Sequence, residues 1–142
     1  MIINMKTTLH DNKYYKIEID VDKNYMVLKP IGFWRSPEVV PNYLKDISNT
    51  VKFKLNLKFS IILDITDMLT HPKEVQEKVH LKGMGLMSEL HPLIALTVLP
   101  KDDISAMQAK FMARTMGTEI KGFETVEEAE AYLERFKKEK GL

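Results

Sequence analysis

Two short runs do most to limit what this chain can fold into: Ser60-Ile61-Ile62-Leu63-Asp64-Ile65 and Leu93-Ile94-Ala95-Leu96-Thr97-Val98-Leu99. A strand with one wet face alternates apolar and polar residues with period two. These runs are nearly continuous instead, as in parallel strands covered by helices on both faces. Each precedes a helical pattern, and the last helix opens with Phe123-Glu124-Thr125-Val126-Glu127-Glu128-Ala129.

The rest of the chain fills in around them. Tyr15, Ile17, Ile19 and Val21 alternate with polar residues, Asp22-Lys23-Asn24 is a turn signal, and Tyr25 to Ile31 is a second extended run. Strands so closely joined predict an antiparallel hairpin. The first helix has two candidate starts, Ser36-Pro37 and Pro41, because Pro41 inside a helix would remove a hydrogen bond. Its apolar stripe is Val40, Tyr43, Leu44, Ile47 and Val51. A second helix is expected from Thr70-His71-Pro72 to about Leu90, ended by His91-Pro92. A third is expected from Pro100-Lys101-Asp102-Asp103 to near Gly117, then a short edge strand from Thr118 to Phe123. Thr125 with Glu128 three residues on is a capping box for the last helix, and Gly141 supplies its stop. The expected order is β-β-α-β-α-β-α-β-α, a mixed sheet with right-handed crossovers in one α/β domain over residues 1–142. Residues 1–13 are read as a loose leading segment.

Composition excludes several classes of function. With no cysteine there is no disulfide framework, thiolate zinc site or cysteine nucleophile, which fits a reducing, cytoplasmic setting. Basic and acidic residues number 21 and 20, so the balance gives no case for nucleic acid. The start lacks a signal-peptide pattern, and no apolar run approaches the ~20 residues of a membrane span.

The element order, with the central strand Ile61-Ile62-Leu63-Asp64-Ile65 and the closing Phe123 to Leu133 segment, resembles the SpoIIAA-like fold of the STAS (sulphate transporter and anti-sigma antagonist) family. The resemblance runs from about Tyr15 to Phe136 and implies a binding or regulatory module. Anti-sigma antagonists carry an Asp-Ser-Ser-Gly-type segment where the helix after the central strand begins, and a partner kinase phosphorylates its serine. This chain has Leu69-Thr70-His71-Pro72 there, with Thr70 as the hydroxyl near that slot. The resemblance therefore implies no phosphoserine switch.

Candidate chemistry is sparse. Asp64 and Asp67 follow the first buried run, where a crevice beyond the strand ends could use them as a magnesium pair or an acid–base pair. The bland alternative is that Asp64 braces the turn and Asp67 is solvated. Asp64, His71 and a hydroxyl of Thr66 or Thr70 are the ingredients of a hydrolase without a nucleophile motif, and His71 has a plain capping or surface role as its alternative. Glu77-x-x-His80 has ligand spacing on one helix face but no matching second motif, so no metal is expected. Gly83-Met84-Gly85 follows no strand, so it reads as close helix packing and not as a dinucleotide loop.

Apolar surface is the better lead. Met84, Met87, Met107, Met112 and Met116 fall on the second and third helices. They are either core filling or an adaptable pocket or docking face. Trp34, beside Arg35, either stacks on a ligand or partner or plugs the sheet end. A cleft of Trp34, Met84, Met87, Met112 and Met116 with Arg35 as polar anchor would suit a lipid-like molecule, a partner helix or a homodimer. The expected function is a non-enzymatic binding or regulatory module for a protein partner, needing no cofactor. The alternatives are a carrier of a small apolar ligand and a hydrolase using Asp64 and His71.

Overall fold

A computed structural model describes residues 6–104, 106–107, 109–110 and 121–142. Its strands are β1 (Thr7–Asp11), β2 (Tyr15–Asp20), β3 (Tyr25–Pro30), β4 (Ser60–Asp64), β5 (Ile94–Val98) and β6 (Gly122–Phe123). Its helices are α1 (Val39–Lys54) after β3, α2 (Lys73–Leu90) after β4, and α3 (Val126–Glu139) at the end. The strands form one sheet in sequence order, β1-β2-β3-β4-β5-β6. The β1–β2 and β2–β3 pairs are antiparallel, and β3–β4, β4–β5 and β5–β6 are parallel.

The two apolar runs are parallel neighbours, with Ile62 opposite Leu96. Alternate residues of β4 serve opposite cores, which is why the run does not alternate. Ile61 packs with Ile17, Ile19, Met26 and Leu28 under Val40, Tyr43 and Ile47 of α1 and Val75 of α2. Ile62 packs with Tyr25, Val27, Leu96 and Val98 under Ala129 and Leu133 of α3. Ile62 is fully buried, worth about 1.5–3 kcal/mol relative to exposure.

Some details differ from expectation. Thr7–Asp11, inside the segment read as loose, adds β1 at the sheet edge, and Lys6 reaches Glu130 of α3 at 3.2 Å. Helix α1 begins between its two candidate starts, at Val39. Pro41 then lies in the first turn, where an N–H has no helical acceptor anyway, so it costs no hydrogen bond. Gly83 and Gly85 do not mark close packing: a Cβ at either would meet nothing within 4 Å among the described residues. The expected third helix lies partly outside the described residues. The described positions between 103 and 110 are helical, and Met112 and Met116 lie outside. Of the expected edge strand, Gly122 and Phe123 pair with the end of β5.

The Thr125 half of the capping box forms, while Glu128 reaches back one residue beyond the cap. Thr125 Oγ1 accepts the Glu128 N–H at 3.1 Å, and Glu128 Oε2 accepts the Glu124 N–H at 3.3 Å. Gly141, at φ 72°, takes the left-handed conformation that closes the chain beyond α3. Among the described residues, no helix is long and apolar enough to cross a membrane.

Candidate functional site

The loops leaving β3 and β4 meet beyond the carboxyl ends of the parallel strands, where open α/β sheets place ligands. Gly32, at φ 71°, takes a left-handed conformation that side chains disfavour, and this lets the β3 loop turn across its neighbour. Its N–H donates to Asp67 O at 2.9 Å, and Leu69 N–H donates to Gly32 O at 3.0 Å. The two loops are thus one hydrogen-bonded unit.

His71 locks that unit from inside. The Trp34 N–H donates to its Nδ1 at 3.0 Å, and the imidazole stacks on the indole with centroids 5.0 Å apart. Gln76 Nε2 donates to His71 O at 2.6 Å. Burial holds the His71 pKa below the usual histidine range. A neutral ring accepting at Nδ1 carries its proton on Nε2, which is buried without a hydrogen-bond partner among the described residues. The Trp34 Nε1–H is shared between Tyr14 O and Ile31 O at 3.1 and 3.2 Å. Tyr43 and Tyr15 contact the indole edge-on at 5.3 and 6.5 Å. Tyr15 also donates to Asp46 of α1, and burial together with that carboxylate pushes its pKa up to about 12.

Trp34 is therefore not a ligand- or partner-facing side chain. It is 1% exposed and plugs the sheet end, because its ring completes the aromatic core beneath α1. His71 is likewise buried, neither a surface residue nor a helix cap. Arg35 and Thr70 are exposed. The neighbours that do reach solvent from the loop unit are Phe33, 45% exposed, and Leu69, 60% exposed. Expectation passed over both, since a single phenylalanine or leucine in a loop carries no pattern.

Asp64 and Asp67 lie on the other side of the sheet plane. Asp64 Oδ1 accepts the Thr66 N–H at 3.0 Å and the Thr66 Oγ1–H at 2.6 Å, the turn-bracing geometry. Lys29 from β3 reaches Asp67 at 3.0 Å and Asp64 at 3.9 Å. The hydrogen bond to Asp67 raises the Lys29 pKa, against the opposing effect of its burial. Lys29 was not singled out in the sequence, although its place as the polar residue before Pro30 at the end of β3 aims it at this crevice. A cleft of about 670 Å³ opens there between Asp64, Asp67, Pro100, Lys101 and the Glu124–Glu127 start of α3. Among the described residues no group of three or more His, Asp or Glu side chains is arranged to hold a metal ion. His71 is not hydrogen-bonded to Asp64; its Nδ1 is occupied by Trp34 and Asp64 Oδ1 by Thr66. Of the three ingredients of a hydrolase, Asp64 and the Thr66 hydroxyl bond each other, while His71 is engaged by Trp34.

The methionines divide. Met87 packs against the α1–α2 core, whereas Met84 is 44% and Met107 is 70% exposed. The cleft expected from Trp34 with Met84 and Met87 does not form around the indole, which is enclosed by Tyr15, Tyr43 and His71.

No protein-family model matches the sequence, and no curated protein does. Among solved structures it is similar to an uncharacterized protein of the DUF3478 family from Shewanella loihica, described as having a SpoIIAA-like fold. The two share 14% sequence identity with a TM-score of 0.56, over 94% of this chain and 98% of that one. The antiparallel entry, the parallel β3-β4-β5-β6 half and the helices on both faces are accordingly a SpoIIAA-like fold.

Proposed function

We propose that this protein is a non-enzymatic binding or regulatory module that engages a protein partner through the joined β3 and β4 loops, without a phosphoserine switch. The observation that carries the reading is the exposed pair Phe33 and Leu69 on loops held together by Gly32. Apolar side chains on a pre-ordered backbone lose little entropy on docking. The slot that holds the phosphoacceptor in anti-sigma antagonists is occupied here by Leu69-Thr70-His71-Pro72, with His71 buried and engaged.

The test is photo-crosslinking in cells from a reactive side chain at position 33, with position 81 on α2 as control. A partner caught from position 33 and lost in a Phe33→Asp, Leu69→Asp double variant supports the reading. Crosslinking that survives the double variant overturns it. Partner release on Thr70 phosphorylation overturns the switch-free part. Turnover that vanishes in Asp64→Asn with the fold intact overturns the non-enzymatic part. A small apolar molecule retained in native mass spectrometry moves the reading to a carrier.

A further inference from the structure

The opposite end of the sheet carries a different surface. Residues 52–58, Lys-Phe-Lys-Leu-Asn-Leu-Lys, hold three lysines and no acid. Phe53 is 76% exposed and Leu57 is 92% exposed. Lysines in the last turn of α1 are favourable beside its dipole, but that does not explain two bare apolar side chains among them. The Leu57 loop is also fixed. Asn24 Nδ2 donates to Leu57 O at 3.0 Å, Asn24 Oδ1 accepts the Asn56 N–H at 2.8 Å, and Lys58 sits at φ 61°. A loop held in a left-handed turn that keeps a leucine in water is maintained at a cost.

Neighbouring elements add to the same end. Lys137 of α3 donates to Lys23 O in the β2–β3 turn, which brings the basic end of α3 alongside. Glu89 of α2 pairs with Lys52 at 3.8 Å, while Lys54 and Lys58 stand in no salt bridge among the described residues. The opposite sheet end bears Asp64, Asp67, Glu124 and Glu127 with Lys29 and Lys101 among them, while Asp20 lies beside Lys137 at this end.

We propose that the Lys52–Lys58 segment is a peripheral docking surface for an anionic lipid bilayer, with Phe53 and Leu57 entering the headgroup boundary and Lys54 and Lys58 engaging lipid phosphates. Aliphatic and aromatic tips flanked by lysines match the apolar boundary and negative surface of such a bilayer. The surface is independent of the partner site, which lies at the other end of the sheet.

The test is sedimentation of the full chain with phosphatidylcholine vesicles, with or without about 30% phosphatidylglycerol, a content that gives the bilayer a negative surface potential. Binding to the anionic vesicles alone is expected. Leu57→Asp should weaken it by at least about tenfold, the lower end of a leucine's transfer energy. Lys54→Gln with Lys58→Gln should weaken it by roughly 25-fold, about fivefold for each lysine. Phe53→Ser should act like Leu57→Asp, and provides a second reading should either change disturb the fold by circular dichroism. Leu81→Asp, at an exposed leucine on α2, should change nothing. No binding to anionic vesicles overturns the proposal. So does binding that Leu57→Asp and Phe53→Ser both leave intact, or that heparin competes away equally in every variant, since either marks a general polyanion surface.

Discussion

The Trp34 N–H donates to His71 Nδ1 at 3.0 Å, across 37 residues of sequence. This bond joins the entry to α1 with the entry to α2 and fixes the histidine tautomer. His71→Ala removes the acceptor and leaves a buried N–H and a small void. It should cost about 2–4 kcal/mol. His71→Asn keeps an oxygen near the Nδ1 position and should recover half or more of that loss. Urea denaturation with an unchanged m value reads both. Equal losses in the two variants would mean that the ring, and not its acceptor, does the holding.

The same geometry sets a pH dependence. Protonated His71 has no acceptor for the Trp34 N–H, and burial already lowers its folded pKa below 6.5. Below pH 6.5 the unfolded chain therefore binds the proton first. Stability from this group is complete above about 6.5 and is lost as pH falls from there to the folded pKa. In His71→Asn that slope should disappear. Denaturation midpoints taken across this range in both proteins check it; identical slopes would assign the acid sensitivity elsewhere.

The sheet was legible because β4 is buried on both faces and its continuous apolar run records that directly; β5 carries a similar run, although Ala95 is exposed and its burial lies at Leu96, Thr97 and Val98. The last helix was legible through its Thr125 cap, which acts locally on the Glu128 N–H. Edge strand β1 was not, because Thr7–Asp11 has an exposed or half-exposed pattern and is held by pairing and by Lys6–Glu130. The candidate site was half legible. Asp64 and His71 were found as residues, but the sequence left Trp34 open between a ligand-facing role and a plug at the sheet end, because its burial depends on Tyr15, Tyr43 and His71 closing from three other elements or loops. Spacing along the chain carries no trace of such contacts. Leu57 escaped notice for the converse reason: exposure of a leucine between Asn56 and Lys58 is a property of the folded turn.

Asp64 separates a brace from a catalyst. Its carboxylate holds Thr66 and lies 3.9 Å from Lys29. Asp64→Ala strands the Thr66 N–H and should cost about 1–3 kcal/mol, while Asp64→Asn keeps one acceptor oxygen and should cost about 1 kcal/mol. Neither should alter turnover of ester or phosphate substrates. Thermal unfolding and a hydrolysis assay run on the same samples separate the two roles.

Thr125 tests how far local capping supports the C-terminal layer. Thr125→Ala frees the Glu128 N–H and should cost about 1 kcal/mol. For a domain of this size that is a fall in Tm of about 3–5 °C. Thr125→Ser should be close to neutral. A larger fall would mean that α3 also fixes the cleft edge formed by Glu124 to Glu127.

The methionines offer a contrast within one helix. Met87 and Met84 are one turn apart on α2, yet Met87 packs on the core and Met84 is 44% exposed. Met87→Ala removes half-buried contacts and should cost about 1–2 kcal/mol, below the 2–5 of a fully buried methionine. Met84→Ala should stay within about 0.5 kcal/mol, as surface changes do. Partner capture from position 33 should be unchanged by either, since Met84 lies roughly 16 Å along α2 from the end that adjoins the loops. Equal stability losses would place both side chains in the core.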